Sequence, residues 1–365
     1  MISMKPSYAP DIIPTATRWL REGRDVVVGT IIHQEGSSNA PLGARMVCND
    51  REEIAGAVSG GCVESDLARQ AREVMRTGEA LLVRYGPREG GNEPALEVGL
   101  ACGGSITVLL EPLDEDWLAR HQEPFCGVVT IQVAEGSPCT VTRTWYPREM
   151  PFGAGLVKDA WEAGQAASRR SGTRIILAEP VIPAPALLVF GATPVADVLV
   201  QLGGIMGYSS VISDPRETRF SGPRPVADQE FASWPDQTLG KLLAQGDLVQ
   251  PGKLFVVSLD HEPRFEDALW EALLEQMGLG KIPAPSYTGA IGQRDRAGER
   301  RDRAARNGLD LTPLGPIHTP VGMNLGGKAP AEVALSIISQ IVACTHGRPG
   351  GHLSGFTPGT PDLPV

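Results

Sequence analysis

Apolar positions from Asp11 to Glu22 recur at helical spacing, and "VVVGTII" (residues 26–32) follows as an unbroken apolar run. This predicts an amphipathic helix feeding a buried strand. "GARMVCN" (43–49) and "EIAGAVS" (53–59) are short glycine-punctuated strands, and "CVESDLARQAREVMRTG" (62–78) returns to helical spacing with Val63, Leu67, Val74 and Met75 inward. "ALLVRYG" (80–86) and "GSITVLLEP" (104–112) predict further strands, with a loop over residues 87–101 between them. From Phe125 to Ile176 the pattern weakens to strands at "CGVVTIQVA" (126–134) and "TRIILAE" (173–179) and a helix over Gly155 to Gly172.

Downstream the pattern becomes alternating. "ALLVFGATPVADVLVQLGGIMGYSSVISDPR" (186–216) gives strand, turn, helix, strand, the order of a parallel βαβ unit. Strands at "KLFVVSLDH" (253–261) and "SYTGAIG" (286–292) alternate with helices at 264–278, 295–308 and 330–347. The segment "EPVIPAPA" (179–186) carries Pro180, Pro183 and Pro185 and marks the break between the halves. The expected fold class is α/β: an N-terminal mixed α+β domain over residues 1–180, a Rossmann-like doubly wound parallel-sheet domain over 185–348, and a tail over 349–365. No repeat of regular period is present.

A length of 365 residues with 42% hydrophobic content fits two globular domains. The net charge of −10 argues against nonspecific binding to nucleic acid or anionic membranes, so an anionic ligand needs a local basic pocket. No segment approaches the roughly 18 apolar residues of a membrane span, and the first residues lack the apolar core of a signal peptide, so a cytoplasmic location is expected. The six cysteines form no CxxC pair and the six histidines have no metal spacing, so a zinc knuckle, a disulfide scaffold and a catalytic base are not indicated.

Two places carry chemistry. In "VSGGCVES" (58–65), Gly60 and Gly61 permit close approach of a ligand, and Cys62 falls at a helix N-terminus, where amide groups and the macrodipole favour a thiolate and anions. The residues alone leave two readings, a small buried thiol or a working sulfur. "GLACGGS" (99–105) repeats the residue types in reversed order with Cys102, Gly103 and Gly104, and Arg45 precedes the first site. The second place is the turn Gly191, Ala192, Thr193, Pro194, Val195, Ala196, with Asp214 at the end of the next strand. A dinucleotide turn needs a second glycine where Thr193 stands; a helix capped by Thr193 with Pro194 at its first position explains the same residues. Arg294, just after Gly292, is the member of the 294–306 arginine cluster placed nearest a phosphate.

"EGSSNAPLGARMVCNDREEIAGAVSGGCVESDL" together with "GLACGGSITVLLEP" resembles the N-terminal domain of the xanthine dehydrogenase accessory protein family, XdhC or CoxI. "LLVFGATPVADVL", "VISDPR", "YTGAIGQR" and "IHTPVGMNLGGKAPAEVALSIISQIVA" resemble that family's Rossmann domain, in the family's order. The resemblance implies a molybdenum cofactor chaperone without turnover of its own. Its cargo is molybdopterin or the cytosine dinucleotide form. Its partners are the large subunit of an apo molybdenum hydroxylase (xanthine dehydrogenase, aldehyde oxidase or CO dehydrogenase type), a cysteine desulfurase that supplies the sulfido ligand, and a cytidylyltransferase, with a homodimer as the family-based expectation. Cys62 carries over as the residue meeting cofactor and metal, and Cys102 as the second. A nucleotide at Gly191, Thr193 and Asp214 is placed in doubt by the departure at Thr193 and Pro194. The alternatives are an NAD(P)-dependent oxidoreductase, suggested by the βαβ unit and Asp214, and a thiol enzyme using Cys62 in sulfur transfer.

Overall fold

The computed structural model describes residues 12–36, 40–86, 104–115, 117–118, 127–136, 138–147, 153–181, 184–222, 225–245, 254–292 and 296–352. The chain divides into two compact units after Ile182. In the first, α1 (Ile13–Arg21) precedes β1 (Val26–Glu35), β2 (Arg45–Asn49), β3 (Ile54–Gly56), α2 (Glu64–Thr77), β4 (Leu81–Tyr85) and β5 (Ser105–Pro112). The strands form an antiparallel sheet in the order β3-β2-β1-β5-β4. Val27 and Ile31 pack with Leu67, Ala71 and Val74 of α2, whereas Val26 and Val28 pack with Ala16 and Trp19 of α1. Both faces of β1 are covered, which is why its sequence is an apolar run and not an alternation.

The antiparallel register has a consequence for function. β1, β3 and β4 end, and β2 and β5 begin, on the same edge of this sheet: Thr30 pairs with Arg45, Met46 with Gly56, Glu35 with Ser105 and Tyr85 with Ile106. The connections that begin at Gly36, Ala57 and Gly86, the latter two holding the Cys62 and Cys102 motifs in sequence, therefore all leave from one edge.

The same unit continues with β6 (Gly127–Ala134), β7 (Thr140–Pro147), α3 (Leu156–Ala163), β8 (Ala167–Ser171) and β9 (Arg174–Val181), the strands ordered β7-β6-β9-β8. The helix expected over 155–172 ends early: Gly164 adopts the left-handed conformation (φ 60°), its amide caps α3, and Ala167–Ser171 is a strand. The two units divide after Ile182, inside the proline-rich 179–186 segment. β9 runs through Pro180, which lies opposite Val128 of β6, beyond the point where the pairing of β8 with β9 stops at Ala178.

Ile32 and Leu109 of the first sheet pack with Ile131, Ile175 and Leu177 of the second. Beside this contact Arg45 (4% exposed) donates from both Nη atoms to the carboxylate of Glu179 (12% exposed) at 2.7 and 2.6 Å. Arg143 and Glu111 form a second ion pair between the sheets.

The second unit is the expected Rossmann-like one. It comprises β10 (Ala186–Phe190), α4 (Pro194–Ile205), β11 (Ser209–Ser213), β12 (Gln229–Phe231), α5 (Pro235–Ala244), β13 (Leu254–Ser258), α6 (Pro263–Gly278), β14 (Tyr287–Ala290), α7 (Arg296–Arg306), β15 (Ile317–His318) and α8 (Pro330–Thr345). The sheet is parallel throughout, ordered β12-β11-β10-β13-β14-β15. This is the doubly wound order, with its switch point between β10 and β13. Leu187 and Val189 face α4 and α8, and Leu188 and Phe190 face α5 and α6, so alternate residues of one strand supply two cores.

Removing one partner of a buried ion pair strands the other, a loss on the order of 3 kcal/mol. Glu179→Ala is therefore expected to destabilise the first unit by about that amount in denaturant unfolding, and the Arg45→Met/Glu179→Leu double variant to recover most of it. Additive losses in the double variant would contradict a pair that acts as one.

Candidate functional site

The loop Val58–Val63 is organised by a residue beyond it. Glu64, the first residue of α2, is buried, and its Oε1 accepts from the amides of Val58 (3.0 Å) and Ser59 (2.8 Å). Its Oε2 accepts from the Ser59 hydroxyl (2.6 Å) and from the amides of Gly61 (3.0 Å) and Val63 (3.2 Å). The Ser59 hydroxyl in turn accepts from the amides of Cys62 (2.9 Å) and Val63 (3.1 Å). Burial opposes the charged form of Glu64, but the Ser59 hydroxyl and the surrounding amides outweigh it and hold the carboxyl below its ordinary range.

The anion position at this helix N-terminus is thus filled by the protein's own carboxylate. The expectation that free amides would stabilise a Cys62 thiolate or an incoming anion is corrected accordingly. What the loop presents outward is sulfur: Cys62 is exposed. Gly60 (φ 78°) and Gly61 (φ 108°) hold left-handed backbone that other residues avoid, and a Cβ on either would meet nothing within 4 Å. The glycines serve the turn and leave the approach to Cys62 open.

The neighbouring connections close on one another at the same sheet edge. A Cβ on Gly86 would lie 2.6 Å from Gly104 O and from Ser105 Cα, so only glycine fits there, and Gly36 also packs on Gly104. Glu35 accepts from Arg84 (3.1 Å) and Ser105 (3.3 Å) and meets His33 Nε2 at 3.3 Å. The Tyr85 hydroxyl donates to Asp66 in the first turn of α2 (2.6 Å), tying the helix that follows Cys62 to the strand that leads into Gly86. Gly104 is thereby placed; Cys102 and Gly103 lie outside the described residues. Arg45 does not join the site, because Glu179 takes both its Nη atoms. Sequence reasoning missed Ser59 and Glu64. The available signal was an acid in the first helical turn behind a serine-glycine loop.

In the Rossmann-like unit Gly191 (φ 104°) allows β10 to pass close to the end of β13, for a Cβ there would sit 3.0 Å from Asp260 N. Thr193 caps α4, accepting from Ala196 N at 3.2 Å, with Pro194 in the first turn. Asp214 is fully buried. Its Oδ2 accepts from Ala192 N, an amide of the turn itself, and from Arg216, while its Oδ1 accepts from the amide and Nε of Arg216. Arg216 also pairs with Asp260 and lies over the Phe265 ring. The remaining space at this switch point, lined by Gly191, Asp214 and Asp260, is about 20 Å³, room for one water. A ribose acid and a phosphate turn are therefore replaced by an internal ion pair, which removes the observation that favoured a nicotinamide enzyme. Arg294 lies outside the described residues.

Among the other described cysteines, Cys48 is buried and its thiol is pushed up to about 12 by burial and the nearby Glu52, Cys139 is buried, and Cys344 contacts His318 (Sγ to Nε2, 3.8 Å) in the second unit. Among the described residues no group of three or more His, Cys, Asp or Glu side chains is arranged to hold a metal, and no helix is long and apolar enough to cross a membrane.

The class defined by this architecture is a two-unit α/β protein in which an antiparallel glycine-cysteine unit precedes a Rossmann-like unit without an open dinucleotide turn. The model of the XdhC and CoxI family matches residues 19–86, which include the Cys62 loop, and the model of the XdhC Rossmann domain matches 187–341. The chain belongs to the XdhC and CoxI family. It is similar to a protein of Bacillus subtilis (strain 168) named as a probable xanthine dehydrogenase subunit, 23% identical over 88% of this chain and 94% of that protein. It is also similar to the "Molybdenum cofactor insertion chaperone PaoD" of Escherichia coli (strain K12), 39% identical over 32% of this chain and 34% of that protein. A crystal structure of a xanthine dehydrogenase from Bacillus halodurans shares the fold, with a TM-score of 0.67 at 22% identity over 95% of this chain and 98% of that one.

Two measurements check the loop. In the folded protein iodoacetamide is expected to label Cys62, while Cys48 and Cys139 react only after denaturation; protection of Cys62 would contradict its exposure. Because the carboxyl of Glu64 is held below 4.5, its stabilisation is complete above that pH and is lost as pH falls through the folded-state value. The protection factors of the Ser59 and Gly61 amides, taken against the intrinsic exchange rate at each pH, should therefore fall in acid, and Glu64→Gln should show low protection at neutral pH with that acid dependence flattened.

Proposed function

We propose that this protein is a molybdenum cofactor insertion chaperone for xanthine dehydrogenase-type enzymes, an accessory protein and not a catalyst. It binds the finished pterin cofactor as cargo, protects it while a cysteine desulfurase supplies the terminal sulfido ligand, and passes it to the large subunit of an apo molybdenum hydroxylase. The observation that carries this reading is Cys62: an exposed thiol on an open glycine turn, inside the span matched by the family model, with the loop's anion-binding amides already occupied.

The donor set fits a cargo metal. A thiolate suits a soft molybdenum-sulfur centre, and one sulfur contributes a single contact to a metal that arrives ligated by its own pterin. Gly60 and Gly61 leave room for that approach, and Cys102, on a connection leaving the same sheet edge, is the second sulfur we assign to it. The cargo is molybdopterin or its cytosine dinucleotide, the latter received from a cytidylyltransferase, and the carrier works as a homodimer. The kinship to PaoD, named for the same task, supports the cargo assignment.

The test is co-expression of the full chain in a cofactor-producing host, followed by molybdenum analysis and release of the fluorescent pterin derivative. Wild type should carry both, and Cys62→Ala several-fold less. Loss of molybdenum with pterin retained assigns the sulfur to the metal, and equal pterin and metal in both proteins overturns the role of Cys62.

A further inference from the structure

The Rossmann-like unit holds a cleft of about 720 Å³ beside its edge strand β15, lined by Arg300 and Arg301 of α7 and by Thr312, Pro316 and Thr319. This volume is of the size that small-molecule sites occupy. It is separate from the filled switch point between β10 and β13.

Arg300 is 6% exposed and held in a fixed pose. Its Nε donates to Glu266 Oε1 at 2.6 Å and its Nη2 to the carbonyl of Ile291 at 3.2 Å. Its Nη1 is buried with no acceptor, and the hydroxyl of Thr319 is likewise buried without a partner. The two residues converge on Gly292: a Cβ built there would stand 3.2 Å from Thr319 Oγ1 and 3.7 Å from Arg300 Nη2. Buried polar groups are nearly always paired, and a charged donor left unpaired is among the costlier omissions. Both orphan groups are hydrogen-bond donors, so an acceptor completes them.

The charges around the cleft balance, Arg300, Arg301 and Arg303 standing against Glu266, Asp267 and Asp310, so the attraction for an anion is local to the arginine donors. Glu266 accepts from both Arg300 and Arg303, and Asp267 accepts from Arg303, while Arg301 lines the cleft. Asp310, on the rim, is engaged by the amide of Thr312.

We propose that this cleft is an oxyanion site, with Arg300 Nη1 and Thr319 Oγ1 as its donors, taking the phosphate of a phosphorylated small molecule. The site belongs to the Rossmann-like unit alone and does not depend on the role given to Cys62. Phosphate chemistry is shared by the pterin cargo and by free nucleotides, and the probes separate recognition of the bare oxyanion from recognition of a nucleotide.

The full chain is titrated calorimetrically with inorganic pyrophosphate and with CMP, as wild type, Thr319→Val, Arg300→Met and Cys62→Ala. Wild type is expected to bind at one site per chain, more weakly as salt rises, and Thr319→Val to lose at least about tenfold in affinity. Arg300→Met removes a partner of Glu266 and risks the fold, so Thr319→Val, which keeps that pair, decides. Cys62→Ala should bind like wild type. Equal binding of both probes assigns recognition to the oxyanion; CMP binding about tenfold tighter assigns a nucleotide. No binding of either probe to wild type at millimolar concentration, or unchanged binding in Thr319→Val, overturns the site. Failure of pterin loading with these titrations intact would bear on the chaperone reading alone.

Discussion

A buried carboxylate must find donors, and in the first unit that requirement shapes the loop that matters most. Glu64 draws in the amides of Val58, Ser59, Gly61 and Val63, and its contact with the Ser59 hydroxyl brings in Cys62 as well. A chain bent so tightly around one side chain needs left-handed residues, which Gly60 and Gly61 provide. With the main-chain donors turned inward, the Cys62 side chain is what the turn presents to solvent. The loop offers a soft ligand in place of an anion hole, and the distinction decides what it can bind.

The same solution recurs across the chain. Where the dinucleotide pattern would place a phosphate and a ribose, Asp214 receives the turn amide of Ala192 and the guanidinium of Arg216. Where Arg45 would have offered a guanidinium ahead of the Cys62 loop, Glu179 takes it. In each case an internal charge occupies the position that a free basic or amide group would have offered a ligand. The unpartnered donors of Arg300 and Thr319 differ from the orphan Nε atoms of Arg45 and Arg143 in that both residues line one cleft.

Legibility followed the range of the interactions. The parallel unit was plain because strands buried on both faces are apolar runs, and "ALLVF" and "LFVVS" are such runs. β7, written "TVTRTWYP", was missed because one of its faces is polar and exposed, and β12 because three residues carry no period. The helix expected over 155–172 failed at Gly164, a local signal outweighed by the helical spacing before it. At the site, glycine next to cysteine marked Cys62 correctly as a place where the backbone turns sharply. Its neighbours were not legible: Glu179 is 134 residues from Arg45, and no local pattern announces a partner at that distance.

The charge of the chain bears on how a carrier of this kind would work. At a net charge of −10 the long-range field repels a phosphate-bearing cargo, so it adds nothing to capture. On the proposed reading, retention then rests on short-range contacts such as that of the Cys62 sulfur at the glycine turn. Contacts of that sort hold strongly only at close range and fall away once either end is displaced. An exposed thiol is also reachable by a competing partner, whereas a thiol sealed in the core like Cys48 would not be. On the proposed reading, a protein whose task is to hand its cargo on gains from that arrangement: the net negative charge opposes recapture of a released anion, and an exposed Cys62 thiol would let a receiving site compete for the metal while the cargo is still bound.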